Sequence, residues 1–123
     1  MPGRSLLLSF RDAFRGIGYI VGTQRNARIQ WGIGLAALVM GIILRLPARD
    51  WAILVLTVVV VLAAEAANTA LETVVDVVSP EISEPARIAK DAAAGAVLLL
   101  AMGAVAVGLF ILGPPLWLLL FKA

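Results

Sequence analysis

The stretch WAILVLTVVVVLAAEAANTALETVVD, Trp51 to Asp76, decides how this chain folds. Its first 14 residues, through Ala64, carry no charge. At 1.5 Å per helical residue they cover about 21 Å, short of the roughly 30 Å hydrocarbon core of a bilayer. A helix that crosses must therefore continue through Glu65 and Asn68. With a period of 3.6 residues, Glu65, Asn68, Glu72 and Asp76 fall within about 80° of one another. Three acids and an amide on one stripe cannot face lipid, where an acidic side chain costs roughly 2.5–3.5 kcal/mol at mid-membrane. The stripe has to face protein, water or a cation.

The composition agrees with a membrane helix. Of 123 residues, 62% are hydrophobic and 15% charged, and the mean hydropathy is +1.01. Soluble domains hold about 45–50% apolar residues, and a 12.9 kDa chain has too little interior to hide the excess. A soluble monomer and a disordered chain are both excluded. The expectation is an all-α integral membrane protein, one domain over residues 1–123. No cysteine or histidine is present. That removes disulfides, thiol nucleophiles, imidazole or thiolate metal sites and Ser-His-Asp catalysis. A net charge of +2 is too small to suggest nucleic acid.

On either side of the Trp51 stretch the pattern predicts two more spans, at about 29–46 and 87–112, with the central one at 51–78. Leu46-Pro47-Ala48-Arg49-Asp50 reads as a polar turn between the first two. Gly113-Pro114-Pro115 is expected to end the last helix, leaving Trp117 to Phe121 as an interfacial anchor. Ahead of the first span, Leu6, Leu7, Phe10, Phe14 and Ile17 recur at helical spacing between Arg4, Arg11 and Arg15. This predicts an amphipathic surface helix over about 4–22. Three spans put Arg4, Arg11, Arg15, Arg25, Arg28, Arg87 and Lys90 on one side, and Arg45, Arg49 and Lys122 on the other. The excess of basic residues is expected to place the N-terminus of this multi-pass membrane protein in the cytoplasm.

Depth sharpens the reading of the stripe. With Trp51 at the outer interface, Glu65 lies roughly 9 Å inside the cytoplasmic boundary, Glu72 reaches that boundary, and Asp76 enters the headgroup layer. The stripe thus joins the depth of a lipid hydroxyl to that of a water-soluble reagent. A proline-bounded loop, Pro80 to Pro85, follows, and Lys90-Asp91 then enters at the same level. Carboxylates beside a lysine suit phosphoryl transfer, because oxygen ligands hold a hard cation and an ammonium offsets phosphate charge. The competing structural reading makes the carboxylates polar glue between helices, or a proton gate.

Glu65-x-x-Asn68-Thr69-Ala70-x-Glu72-x-x-x-Asp76, with Ala89-Lys90-Asp91-x-x-x-Gly95-Ala96-Val97 downstream, resembles the bacterial diacylglycerol kinase and undecaprenol kinase family. Ser9-Phe10-x-x-Ala13-x-x-Gly16-Ile17 and Arg25-Asn26-x-Arg28-Ile29 extend the resemblance over nearly the whole chain. The resemblance implies a homotrimeric bundle that transfers the γ-phosphate of ATP, with Mg2+, to a membrane lipid hydroxyl. By it, Glu65 is the general base and Glu72 a metal ligand. Asn68, Asp76, Glu81, Lys90 and Asp91 serve the nucleotide. The family commonly carries a glutamate metal ligand immediately before Arg25-Asn26, where this chain has Gln24, and a histidine where it has Gln30. The Arg-Asn-x-Arg-Ile pattern resembles the undecaprenol kinase branch, so undecaprenol is the expected acceptor, with diacylglycerol the alternative. Two other classes compete: a small proton-coupled exporter built on Glu65, and an inactive relative of the kinases, suggested by Gln24.

Overall fold

The computed structural model describes residues 3–122 and consists of four helices: α1 (Leu6–Thr23), α2 (Arg25–Ile43), α3 (Ala48–Val78) and α4 (Glu84–Phe121). No strand occurs among the described residues. α2, α3 and α4 are each long and apolar enough to cross a membrane. At 31 and 38 residues, α3 and α4 run to about 46 and 57 Å, well beyond a hydrocarbon core. They pack on each other as an antiparallel hairpin. α2 lies against α3, and α1 touches both α2 and α3 near its C-terminal half.

Very little is buried within one chain. The core amounts to Ala27, Leu46, Leu54 and Val61, joined by Glu65 and Thr69, and no residue of α4 is buried. The exposed surface is 8992 Å², against about 6300 Å² for a soluble monomer of this mass. Most of that excess is aliphatic side chain, the surface of helices that face hydrocarbon or other helices.

The junctions follow local chemistry. Ser5 caps α1 by accepting from the Leu8 amide, and Ser83 caps α4 by accepting from the Ala86 amide, with Pro85 in the first turn. One extended residue, Gln24 (φ −105°, ψ 115°), separates α1 from α2. The membrane helix therefore begins at Arg25, four residues before the expected start, because a single-residue break already turns the chain. α2 ends at Ile43, so Arg45 lies outside it at φ 54°. The Leu46 amide reaches back to the Gly41 carbonyl at 3.2 Å, closing the turn with Arg45 in the left-handed position usually held by glycine. Pro47 caps α3, which takes in Ala48, Arg49 and Asp50 of the expected polar turn.

The C-terminal expectation is corrected. Gly113-Pro114-Pro115 does not end α4, which continues to Phe121 and stacks Trp117 against Phe121 with ring centroids 4.4 Å apart. The two prolines remove two amide donors, at about 3 kcal/mol each in a helix interior. Ending the helix there would leave a longer row of backbone groups unpaired in an apolar setting, at several kcal/mol apiece. Continuing the helix is the lesser cost.

Candidate functional site

Glu65, Asn68, Glu72 and Asp76 stand on one stripe of α3, as the spacing requires. Their exposure rises along it: Glu65 is buried at 4%, Asn68 and Glu72 are half-buried, and Asp76 is exposed. This gradient is the one expected for a helix passing from an apolar zone into water. Two threonine hydroxyls bond back to the carbonyls one turn earlier beside Glu65. The Thr69 hydroxyl donates to the Glu65 carbonyl at 3.1 Å, and the Thr73 hydroxyl donates to the Thr69 carbonyl at 2.8 Å. Asn68 Nδ2 donates to Glu72 Oε1 at 3.3 Å, which fixes the carboxamide between the two glutamates.

Among the described residues, Asn68 Oδ1 is buried and accepts no hydrogen bond. A buried carbonyl oxygen left unsatisfied is costly. Beside the Glu72 carboxylate it is an oxygen donor of the kind a hard cation takes. The donor set therefore fits magnesium in kind, though not in number. Among the described residues no three acidic side chains gather closely enough to hold a metal on their own. Sites that bind magnesium together with a nucleotide commonly use one or two carboxylates plus phosphate oxygens, which is what this arrangement offers.

Gln24 stands at the α1–α2 junction, just before α2. Gly34 against Val58 and Gly41 against Trp51 set the register of the antiparallel α2–α3 pair. That register brings Ala27 level with Glu65 and Gln24 level with Asn68. Gln24 Nε2 donates to the Thr23 hydroxyl at 3.4 Å, and no hydrogen bond joins it to Glu72 among the described residues.

At the far end of the stripe α4 joins in. Lys90 Nζ is ion-paired with Asp76 Oδ1 across the hairpin. Asp91 turns the other way: its carboxylate accepts from Arg87 at 2.9 Å, and Arg87 also pairs with Glu84. Asp76, Ser79, Glu81, Ser83, Arg87 and Lys90 line a cleft of about 210 Å³ at the hairpin loop, together with apolar groups of Val75, Pro80, Ile82 and Ala86. The Ser79 and Ser83 hydroxyls lie 3.3 Å apart there. Lys90, Asp76 and Glu81 thus come together as expected, while Asp91 is reached only through Arg87. Arg87 and the two serines were missed in reading the sequence. The Glu84-x-x-Arg87-x-x-x-Asp91 spacing was the available signal, since residues three and four apart share a helix face.

A family profile described as Prokaryotic diacylglycerol kinase matches residues 11–112, which contain the whole stripe and the hairpin. The chain belongs to that family. It is 50% identical over 113 residues to a diacylglycerol kinase of Synechocystis sp., an alignment covering 91% of this chain and 65% of that protein. It is 36% identical over 108 residues to an undecaprenol kinase of Bacillus subtilis, covering 88% of each. The chain spans a little under two thirds of the length of the cyanobacterial relative.

Proposed function

We propose that this protein transfers the γ-phosphate of ATP to the hydroxyl of a membrane lipid at the cytoplasmic face of the inner membrane, with undecaprenol as the acceptor. The observation that carries the reading is the stripe itself, which runs without interruption from the buried Glu65 to the water-exposed Asp76–Lys90 pair. Lipid hydroxyl and nucleotide approach from opposite ends of it. Two relatives that bear kinase names support the activity.

In the proposed reaction the lipid hydroxyl donates its proton to Glu65 as its oxygen attacks the γ-phosphorus. The bond from the γ-phosphorus to the β–γ bridging oxygen breaks, giving lipid phosphate and ADP. Magnesium, when bound, neutralises charge on the nucleotide phosphates. Glu72, the orphaned Asn68 oxygen and Gln24 would hold it. Lys90, kept in place by Asp76, offsets phosphate charge. Glu81 and Asp91 sit where the outer parts of the nucleotide would lie. A bare α4 and a carboxylate stripe left open at its sides support association into a homotrimer, with the N-terminus in the cytoplasm.

A second acceptor is diacylglycerol, favoured by the name of the relative at 50% identity. The experiment that separates them is transfer from radiolabelled MgATP by purified protein in mixed micelles containing both alcohols. Label in the undecaprenol band is the expected result. Label in phosphatidate keeps the chemistry and changes the acceptor. Label in neither, from folded protein, refutes the kinase reading in favour of an inactive relative.

A further inference from the structure

The buried residues of α2 are Ala27, Gly34 and Gly41, each seven positions from the next. The α3 residues that face them keep the same spacing. A Cβ added to Gly34 would lie 2.8 Å from Val58, and one added to Gly41 would lie 2.9 Å from the Trp51 ring. One more step of seven along the antiparallel pair brings Ala27 opposite Glu65. Seven residues fall only about 20° short of two full helical turns, so Trp51, Val58 and Glu65 share a face of α3. Glu65 is thus the third large side chain in a row set against three small ones. Burial agrees, with Ala27 1% exposed and Glu65 4% exposed.

The Glu65 carboxylate has no polar group to aim it. Among the described residues it takes part in no ion pair and no hydrogen bond; the bond at this residue is accepted by its backbone carbonyl, from Thr69. Its direction is therefore set by the side chains that enclose its stem. The α2 residue at its level is Ala27.

We propose that Ala27 is a positioning residue for phosphoryl transfer: its methyl group fills the seam opposite Glu65 and, by packing, fixes the direction in which the carboxylate meets the lipid hydroxyl. The proposal rests on the lipid-kinase reading above and adds to it a residue outside the acidic stripe. The size of residue 27 decides the effect. At Gly34 and Gly41 a Cβ already collides, whereas at Ala27 one methyl is accommodated and fully enclosed. A longer side chain has no free space there, and overpacking drives neighbours from their rotamers. Val58 and Trp51 can shift without chemical consequence. Glu65 cannot, because a general base has to stand within about 2.6–3.2 Å of the group whose proton it takes. A misplacement of about 1 Å costs on the order of 100-fold in rate. Nucleotide binding is too distant to be disturbed in the same way. Asp76, which pairs with Lys90, lies three turns further along α3, about 16 Å away.

The test is steady-state kinetics of the full-length protein in lipid nanodiscs, with folding checked by helical circular dichroism and elution volume. Ala27→Leu should lower kcat about 100-fold and leave the KM for ATP within about twofold. Ala27→Gly, which removes the contact but keeps the space, should lower kcat only a few-fold. Gly41→Leu overpacks the far end of the same seam and should retain turnover per folded molecule. A second readout needs no turnover: the rate at which a membrane-soluble carbodiimide modifies Glu65, followed by peptide mass spectrometry. Ala27→Leu should raise that rate several-fold by pushing the carboxyl out of the seam, and Gly41→Leu should leave it unchanged. If Ala27→Leu does not fold, Ala27→Val replaces it in both measurements. An unchanged kcat in the folded, overpacked variant would overturn the proposal, as would an unchanged carbodiimide rate. An equal fall in kcat for Gly41→Leu would reduce Ala27 to a packing residue, and a rise in KM matching the fall in kcat would place its effect at the nucleotide. Absence of transfer by the unsubstituted protein is a failure of the kinase reading instead, and the carbodiimide rates then still report whether Ala27 sets the position of Glu65.

Discussion

The two ends of α3 are built on opposite principles. At the Trp51 end, α2 and α3 close so tightly that glycine is required: a Cβ on Gly41 would lie 2.9 Å from the Trp51 ring and 3.1 Å from Leu46. Leu46 and Leu54 are buried beside it. At the Asp76 end there is almost no apolar packing. Val77, Val78 and Ile82 are exposed, and the polar contacts are the Asp76–Lys90 ion pair and the Ser79 and Ser83 hydroxyls around an open cleft. One end packs α2 and the turn against α3, and the other keeps polar groups accessible. Glu65 sits at the boundary, buried by the packed end and aligned with the polar one.

That contrast can be broken experimentally. The largest effect expected is from Glu65→Gln, which should lower phosphoryl transfer by about 10²–10⁴-fold while leaving the unfolding transition in place. A matching loss of stability would make Glu65 a structural residue. Next comes Gly41→Leu at the packed end. Overpacking against Trp51 should cost about 1–3 kcal/mol in reversible detergent unfolding, with turnover per folded molecule retained. An unchanged midpoint would show that the turn can give way.

Smaller effects are expected at the polar end. Lys90→Met should raise the KM for ATP by about tenfold with little change in stability, because an exposed ion pair adds at most about 1 kcal/mol to the fold. A stability loss larger than the KM effect would mean that the Asp76–Lys90 pair holds the hairpin together. Gln24→Glu should lower the half-saturating magnesium concentration by a few-fold, since added ligand charge tightens a hard-cation site. A flat response would place residue 24 outside the metal shell. The smallest change is Arg45→Gly, which relieves a left-handed backbone at φ 54° and should stabilise by up to about 1 kcal/mol in the same unfolding assay.

Much of the site was legible in the primary structure because helices are periodic. Once α3 is a helix, Glu65, Asn68, Glu72 and Asp76 must share a face, and the short loop must return Lys90 to Asp76. Asp91 was harder to place. Its neighbour on the same helix, Arg87, competes for it, and local pairing at four-residue spacing won over the longer reach. Pro114 and Pro115 misled for a different reason. Proline rules drawn from water assume that freed backbone groups find solvent, and a membrane helix has none to offer.

The composition and the 3.6-residue period alone dictate a helical membrane protein, its three crossing helices and the acidic stripe, since each follows from the cost of burying or exposing a side chain in a bilayer. The order of specific residues, Glu65-x-x-Asn68 through Lys90-Asp91, carries the resemblance to the family. Which α2 residues meet α3, the burial of Glu65, and the apolar groove between α2 and α4 depend on how separate helices settle against one another. That register is chosen by side-chain shape at a few close approaches, Gly34 on Val58 and Gly41 on Trp51, and shape complementarity between distant segments has no period to be read along the chain.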